Sequence, residues 1–204
     1  VIIFLGVEWA NPKTLGPLPM WDKVMAAIFQ SVTPRTAGIA TVDYSQLHPI
    51  TLFVSIILMF IGAGPNSTGG GVKISTVMVA ILASCTLFNN RSDVEVFGRR
   101  ISMVTVLKAN GIIFLSILLV LLATCYLAWD EPFDFIRLLF EVMSAFGTVG
   151  LTTGITPDLS ESSKWVLILV MFTGRVGVMT VIGTWALRTK PNKPISYAEE
   201  NVML

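Results

Sequence analysis

Two short stretches of this chain can do chemistry with their backbone rather than their side chains. Thr148-Val149-Gly150-Leu151 lies inside the run from Ser144 to Thr153, and Thr36-Ala37-Gly38-Ile39 lies 112 residues earlier. Each reads Thr-x-Gly-aliphatic, too short and too Gly-rich for a helix or a packed strand. Extended carbonyls held in a row can replace the hydration shell of a cation. Glycine lets such a backbone turn sharply and crowd an axis without steric cost. A lone Gly after a helix is ordinarily a C-cap, but two in the same register favour a selectivity filter. The reading places K⁺ on the carbonyls of Thr36, Ala37, Gly38, Thr148, Val149 and Gly150, with Ile39 and Leu151 completing the two segments. The preceding helices would turn their negative ends toward the ion.

The elements that must position these segments follow from their flanks. Phe133 to Met143 and Trp21 to Thr33 are apolar and helical in character, the second stopped by Pro34. A helix of about a dozen residues covers roughly half of a ~30 Å hydrocarbon core. A half-length helix followed by extended backbone reads as a re-entrant loop, tolerated where it lines a water-filled cavity.

Composition agrees. The chain is 53% hydrophobic and 13% charged, where a soluble domain carries about 25% charged residues. This predicts an all-α integral membrane protein. A net charge of +1 leaves no basic surface for nucleic acid. No C-x-x-C or H-E-x-x-H pattern is present, and Cys85 and Cys125 read as small core hydrophobes.

The shift of 112 residues extends beyond the filters. Asp22 falls on Asp134, Thr41 on Thr153, Leu47 on Leu159, and Met59-Phe60-x-Gly62 on Met171-Phe172-x-Gly174. Internal repeats are common in transport proteins, with the site at the repeat interface. The same shift sets Val1 opposite Ile113, so the first repeat is read as truncated at its start and the chain as part of a longer one.

Pro49 to Leu87 is apolar yet about twice the length of one span. Its middle, Gly62 to Lys73, cannot continue a helix. A surface loop between two spans would explain it, but each flank is short. The preferred reading is one helix broken inside the membrane, with Gly62, Gly64, Pro65, Ser67, Thr68, Gly69, Gly70, Gly71 and Lys73 forming a loop in the pore. Arg175 sits in the middle of the last span, Lys164 to Leu187, which is read as uninterrupted. A charge at that depth costs at least ~2.5–3.5 kcal/mol and usually faces a pore. Arg175 is therefore expected to reach carbonyls of the Ala63–Lys73 insert and to gate cation flux with it. Lys73 either lines the cytoplasmic mouth or snorkels. His48 reads as a surface histidine.

Met103 to Trp129 is a full span. The polar linker 89–102 holds three Arg with Arg91, Arg99 and Arg100, and the end of the chain holds Arg188, Lys190 and Lys193. The positive-inside rule makes linker and tail cytoplasmic, so both pore loops enter from outside. The chain divides into a pore repeat over 1–88, the linker 89–102, a pore repeat over 103–190 and a polar tail over 191–204. Each repeat is membrane helix, pore helix with filter, membrane helix.

Four motifs in order, Gln30 to Ile39, Met59 to Lys73, Ser144 to Leu151 and Met171 to Gly177, resemble the Ktr/Trk/HKT cation transporters. Within that family the resemblance is strongest to the membrane subunit of bacterial Ktr potassium uptake systems. It implies four potassium-channel-like repeats around one pore, of which these are the third and fourth, with Gly38 and Gly150 as filter glycines. It also implies a gate formed by the Gly62–Lys73 loop with Arg175. Its implied partners are the first two repeats of the same protein, a second copy as a homodimer, and a cytosolic nucleotide-binding ring of the KtrA/TrkA type. K⁺ is the transported ion, with Na⁺ as a coupled or competing one, and the place is the bacterial inner membrane.

Three rivals compete. A tandem-pore K⁺ channel, or a sodium-preferring member of the same family, shares the filter logic, but Thr36-Ala37-Gly38-Ile39 lacks the second Gly of a channel filter. An intramembrane serine hydrolase would need Ser67 and His48 in contact across about 22 Å of helix. A structural subunit explains neither the paired Thr-x-Gly segments nor Arg175.

Overall fold

The structure, a computed structural model, describes residues 1–65, 67, 69–88, 94–96, 99–178 and 180. Its helices in chain order are α1 (Ile2–Glu8), α2 (Met20–Val32), α3 (Pro49–Phe60), α4 (Ile74–Phe88), α5 (Met103–Asp130), α6 (Phe135–Phe146) and α7 (Glu161–Val176). A two-residue antiparallel hairpin, β1 (Glu95–Val96) with β2 (Arg99–Arg100), sits in the linker that the sequence left as plain polar chain. Short 3-10 turns occupy Tyr44–Gln46 and Thr156–Asp158.

The turns and outer helices repeat at the shift read from the sequence. Tyr44–Gln46 moved by 112 falls on Thr156–Asp158, and the first residue of α3, Pro49, falls on Glu161, the first of α7. Before α2 the register fails. α1 ends at Glu8 and α2 starts at Met20, whereas only Glu131 to Asp134 separate α5 from α6. The longer first connection means that α1 corresponds to the end of α5, so Val1 does not stand opposite Ile113.

Acidic straps at both helix ends show this correspondence. The Glu8 carboxylate accepts hydrogen bonds from the His48 N–H at 2.8 Å and the Thr51 hydroxyl at 2.7 Å, and also from Asn11 and Thr14. In the second repeat Glu131 accepts the Ser160 N–H at 2.7 Å, and Asp130 accepts the hydroxyls of Ser160, Ser162 and Ser163. Ser160 and Ser163 are His48 and Thr51 moved by 112. Each strap ties the end of one helix to the start of another and satisfies donors that a helix N-terminus leaves open.

α6 lies at the centre, packed against α3, α5 and α7. Leu138, Phe140, Val142, Met143, Ala145 and Phe146 on it are buried. Phe146 stacks with Phe60 of α3 at 6.2 Å between ring centroids. α2 buries only Ala27 and Gln30.

Among the described residues one helix, Met103–Asp130, is long and apolar enough to cross a bilayer, with mean hydropathy 2.6. α3 and α4 are about 18 and 22 Å long at 1.5 Å per residue, so neither spans alone. The segment between them closes as a neck. Gly62 N–H donates to Val72 C=O at 2.8 Å and Val72 N–H to Phe60 C=O at 3.2 Å, making a parallel bridge between Ile61 and Val72. Residues eleven apart can pair in parallel only if the chain loops out and resumes its heading between them.

Two expectations need correction. The span Lys164–Leu187 is not uninterrupted: α7 stops at Val176, and Gly177 takes φ +93°. That position corresponds to Pro65 in the first repeat, whose outer helix α3 already ends at Phe60, about one turn earlier in register. Cys85 and Cys125 are exposed free thiols on their helices, not core residues. The tail, with Arg188, Lys190 and Lys193, lies outside the described residues, as do Arg91 and Thr68.

Candidate functional site

Each half-helix delivers a backbone segment of alternating hand. Thr36 has φ +67° and Gly38 φ +71°; Thr148 has φ +52° and Gly150 φ +91°. Positive φ suits Gly, but for a β-branched residue it is a strained outlier. It occurs at matching places in both repeats, which points to a constraint shared by both. Thr36, Ala37, Gly38 and Ile39 therefore run alongside Thr148, Val149, Gly150 and Leu151 as two equivalent segments. They meet at Gly38, where an added Cβ would run into the Val149 carbonyl oxygen.

Side chains behind each segment hold its shape. In the first, Thr33 Oγ1 accepts the Ile39 N–H at 3.1 Å and donates to the Ile39 carbonyl at 2.6 Å. Arg35 reaches from beside the filter to the Ile61 carbonyl at the end of α3, 3.1 Å away. In the second, Glu141 of α6 is buried and gathers donors from Thr152, Thr153 and Thr156.

The Gly-rich insert lies directly against both filter threonines. Gly70 N–H donates to Thr148 Oγ1 at 2.9 Å. A Cβ on Gly69 would come within 2.9 Å of Thr36 Cγ2, and one on Gly70 within 2.7 Å of Thr148 Cγ2. Gly62 is closed against the Gly70 carbonyl and Gly71 takes φ +76°, so no larger residue fits this fold of the loop. Gly64 is open to its surroundings, and Pro65 and Ser67 are exposed.

Lys73 turns toward the insert itself. Its Nζ donates back into the insert, to the carbonyls of Ser67 at 2.8 Å and Gly69 at 3.3 Å. Arg175 lines a cavity of about 200 Å³ together with Gly69, Gly71, Lys73 and Ser116. The Ser116 hydroxyl is buried there with no hydrogen-bond partner among the described residues. A second cavity, of about 560 Å³, is lined by Glu141, Thr148, Val149, Gly150 and Thr152. His48 is exposed and caps α3, its Nδ1 accepting the Ile50 N–H at 3.3 Å, while Ser67 Oγ accepts from Gly69 N–H. Their partners give the hydrolase reading no support.

Glu141 and Gln30 were not singled out from the sequence. The available signal was an acid inside an apolar helix, which in a membrane protein is a functional pointer by default.

Comparison with known proteins assigns the fold. The TrkH family of cation transport proteins matches residues 2–192. The chain belongs to this family of membrane cation transporters. It is 41% identical over 202 residues to the Ktr system potassium uptake protein B of Vibrio alginolyticus, covering 99% of this chain and 44% of that protein. It is 38% identical over 186 residues to the protein of the same name from Bacillus subtilis, covering 91% of this chain and 42% of that one. It is also 38% identical over 212 residues to the potassium/sodium uptake protein NtpJ of Enterococcus hirae, covering 100% of this chain and 46% of that protein. The crystal structure of the potassium transporter TrkH from Vibrio parahaemolyticus superposes with a TM-score of 0.74 at 21% identity, over 90% of this chain and 41% of that one. The chain spans less than half the length of the curated relatives it matches. The TrkH family is one of cation transport proteins, not of enzymes.

Proposed function

We propose that this chain supplies two of four pore segments of a potassium uptake protein in a bacterial cell membrane. The observation that carries the reading is the pair of Thr-x-Gly segments at matching positive φ, with the insert seated against both threonines. Alternating hand at every second residue turns successive peptide groups the same way, as a carbonyl-lined channel requires. K⁺ would be held by carbonyls of Thr36, Ala37, Gly38, Thr148, Val149 and Gly150. The names of the Bacillus and Vibrio relatives support potassium, and that of the Enterococcus relative supports sodium as a second ion.

The Gly62–Lys73 loop would be the gate, and the seating of Gly69 against Thr36 and of Gly70 against Thr148 its shut position. Arg175 shares the cavity beneath it and would add a repulsive charge to the exit path. By the positive-inside rule Arg99 and Arg100 support a cytoplasmic linker, with filters and straps facing outward. Uptake then runs down the membrane potential, worth about 2.3 kcal/mol per charge per 100 mV. The remaining repeats, a second copy and a cytosolic nucleotide-binding ring complete the assembly. The ring is suggested by the word "system" in the relatives' names.

The test is Gly150→Ser in the full-length protein, expressed in cells unable to take up K⁺. A hydroxymethyl group at φ +91° distorts the segment, so K⁺ preference over Na⁺ should fall. Unchanged affinity and selectivity would reduce Thr148–Leu151 to a helix cap.

A further inference from the structure

We infer that Glu141 is a positioning residue that fixes the second filter segment in place, and that Gln30 is its neutral counterpart in the first; this rests on the filter reading above. The two side chains share two partner positions in repeat register. Glu141 Oε1 accepts the Thr153 N–H at 2.8 Å, the Thr153 hydroxyl at 3.0 Å and the Thr152 hydroxyl at 2.8 Å, while Oε2 accepts the Thr156 hydroxyl at 2.7 Å. The orientation of the Gln30 amide that satisfies all its neighbours does the equivalent. Its oxygen accepts the Thr41 N–H at 2.8 Å, the Thr41 hydroxyl at 2.9 Å and the Val42 N–H at 3.0 Å, and its nitrogen donates to the Tyr44 hydroxyl at 2.8 Å. Thr41 and Tyr44 moved by 112 are Thr153 and Thr156.

The clamps themselves are not at matching positions, since Gln30 moved by 112 falls on Val142. Two different side chains from adjacent helix positions have arrived at one hydrogen-bond pattern. Both are buried, Gln30 fully. Both grip the strand that leaves the filter, three residues beyond Gly38 and Gly150. That strand sets how far the filter carbonyls stand from the axis, because the other end of each segment is fixed by its helix. Around the second segment the grip matters more. Thr33, which ties Ile39 in the first repeat, is replaced in register by Ala145, which has no hydroxyl to do so.

Hydrogen-bond chemistry makes the idea separable from a general loss of structure. Glutamine at 141 can accept from Thr152 and Thr153 with its oxygen and donate to the Thr156 hydroxyl, which accepts as readily as it donates. Glutamate at 30 can accept from Thr41, Val42 and the Tyr44 hydroxyl. The two residues should therefore be exchangeable, and alanine should not replace either.

The experiment measures K⁺ and Na⁺ uptake by the full-length protein in proteoliposomes, with Gly150→Ser as the reference for the filter itself. Glu141→Ala should lower the K⁺-over-Na⁺ ratio about tenfold, the effect of losing a single charge-assisted hydrogen bond. Glu141→Gln and Gln30→Glu should recover most of that ratio relative to the corresponding alanine variants. If Glu141→Ala does not reach the membrane, Thr153→Val, which keeps the carboxyl and removes one hydroxyl donor, should shift the ratio in the same direction. A ratio unmoved by Glu141→Ala or Thr153→Val while Gly150→Ser shifts it overturns the inference and leaves the filter standing. Glu141→Gln as impaired as Glu141→Ala also overturns it. If Gly150→Ser is inert as well, the filter reading falls with it.

Discussion

Thr148 carries a β-branched side chain at φ +52°, and the contact that compensates comes from the insert, whose Gly70 N–H donates to its hydroxyl. Positive φ costs such a residue of order 1–3 kcal/mol unless its surroundings over-determine it. Thr148→Val keeps the shape and removes the acceptor, leaving the Gly70 N–H without its partner. That costs about 1–3 kcal/mol and falls on the shut position of the loop. Thr148→Val should therefore raise K⁺ flux several-fold, measured as initial uptake rate at equal surface abundance; a slower variant would mean that the bond serves the conducting state. Gly38→Ala is a different case. Its Cβ meets the Val149 carbonyl oxygen of the other segment as well as an unfavourable φ, so it should abolish uptake where Ala37→Gly does not. The residue types at the filters were legible because glycine announces its own freedom. The strained threonines were not, since nothing in a threonine's chemistry predicts positive φ. Glu141 and Gln30 were missed because their partners lie 11 to 15 residues away and the two clamps are one position out of register.

At the level of elements, the two outer helices end about one turn apart in register, and for unequal reasons. The first break is a long insert that composition exposes at once. The second rests on Gly177 alone, inside an apolar run that reads as continuous until its φ of +93° is seen. The straps were equally hidden, because a short acidic turn looks like any surface loop. Their chemistry gives a pH test. The Ser160 N–H donated to Glu131 holds its carboxyl below the ordinary carboxylate value, against an opposing push from desolvation. A carboxyl with a lowered folded pKa contributes stability above its unfolded value of about 4.3, and that contribution is lost as pH falls through the folded pKa. Thermal stability of the purified full-length protein should thus drop on acidification below about pH 4.3, and Glu131→Gln should make that drop shallower. Equal acid sensitivity in both proteins would show that the strap at α5 and α7 does not carry it.

For the whole molecule, the decisive contrast is between the two half-helices. Phe140, Glu141 and Ser144 of α6 are 0%, 5% and 4% exposed. Their counterparts at a shift of 112, Ile28, Phe29 and Val32 of α2, are 41%, 40% and 59% exposed. The difference lies in the neighbours. α6 has α3 of the preceding repeat against it, and α2 has no such helix among the described residues. If the repeats surround one axis, the outer helix of another repeat covers the α2 face, as α3 covers α6. A nitroxide at Phe29→Cys in the full-length protein, with Cys85 and Cys125 changed to Ser, should then collide little with oxygen dissolved in the bilayer and little with a water-soluble relaxant. A label at Phe114→Cys, on the 67% exposed face of α5, serves as the lipid-facing standard and should show high oxygen collision. Oxygen access at position 29 equal to that at 114 would place α2 against lipid. The four-repeat ring would then have to give way to an arrangement in which the first filter segment stands at the edge of the protein.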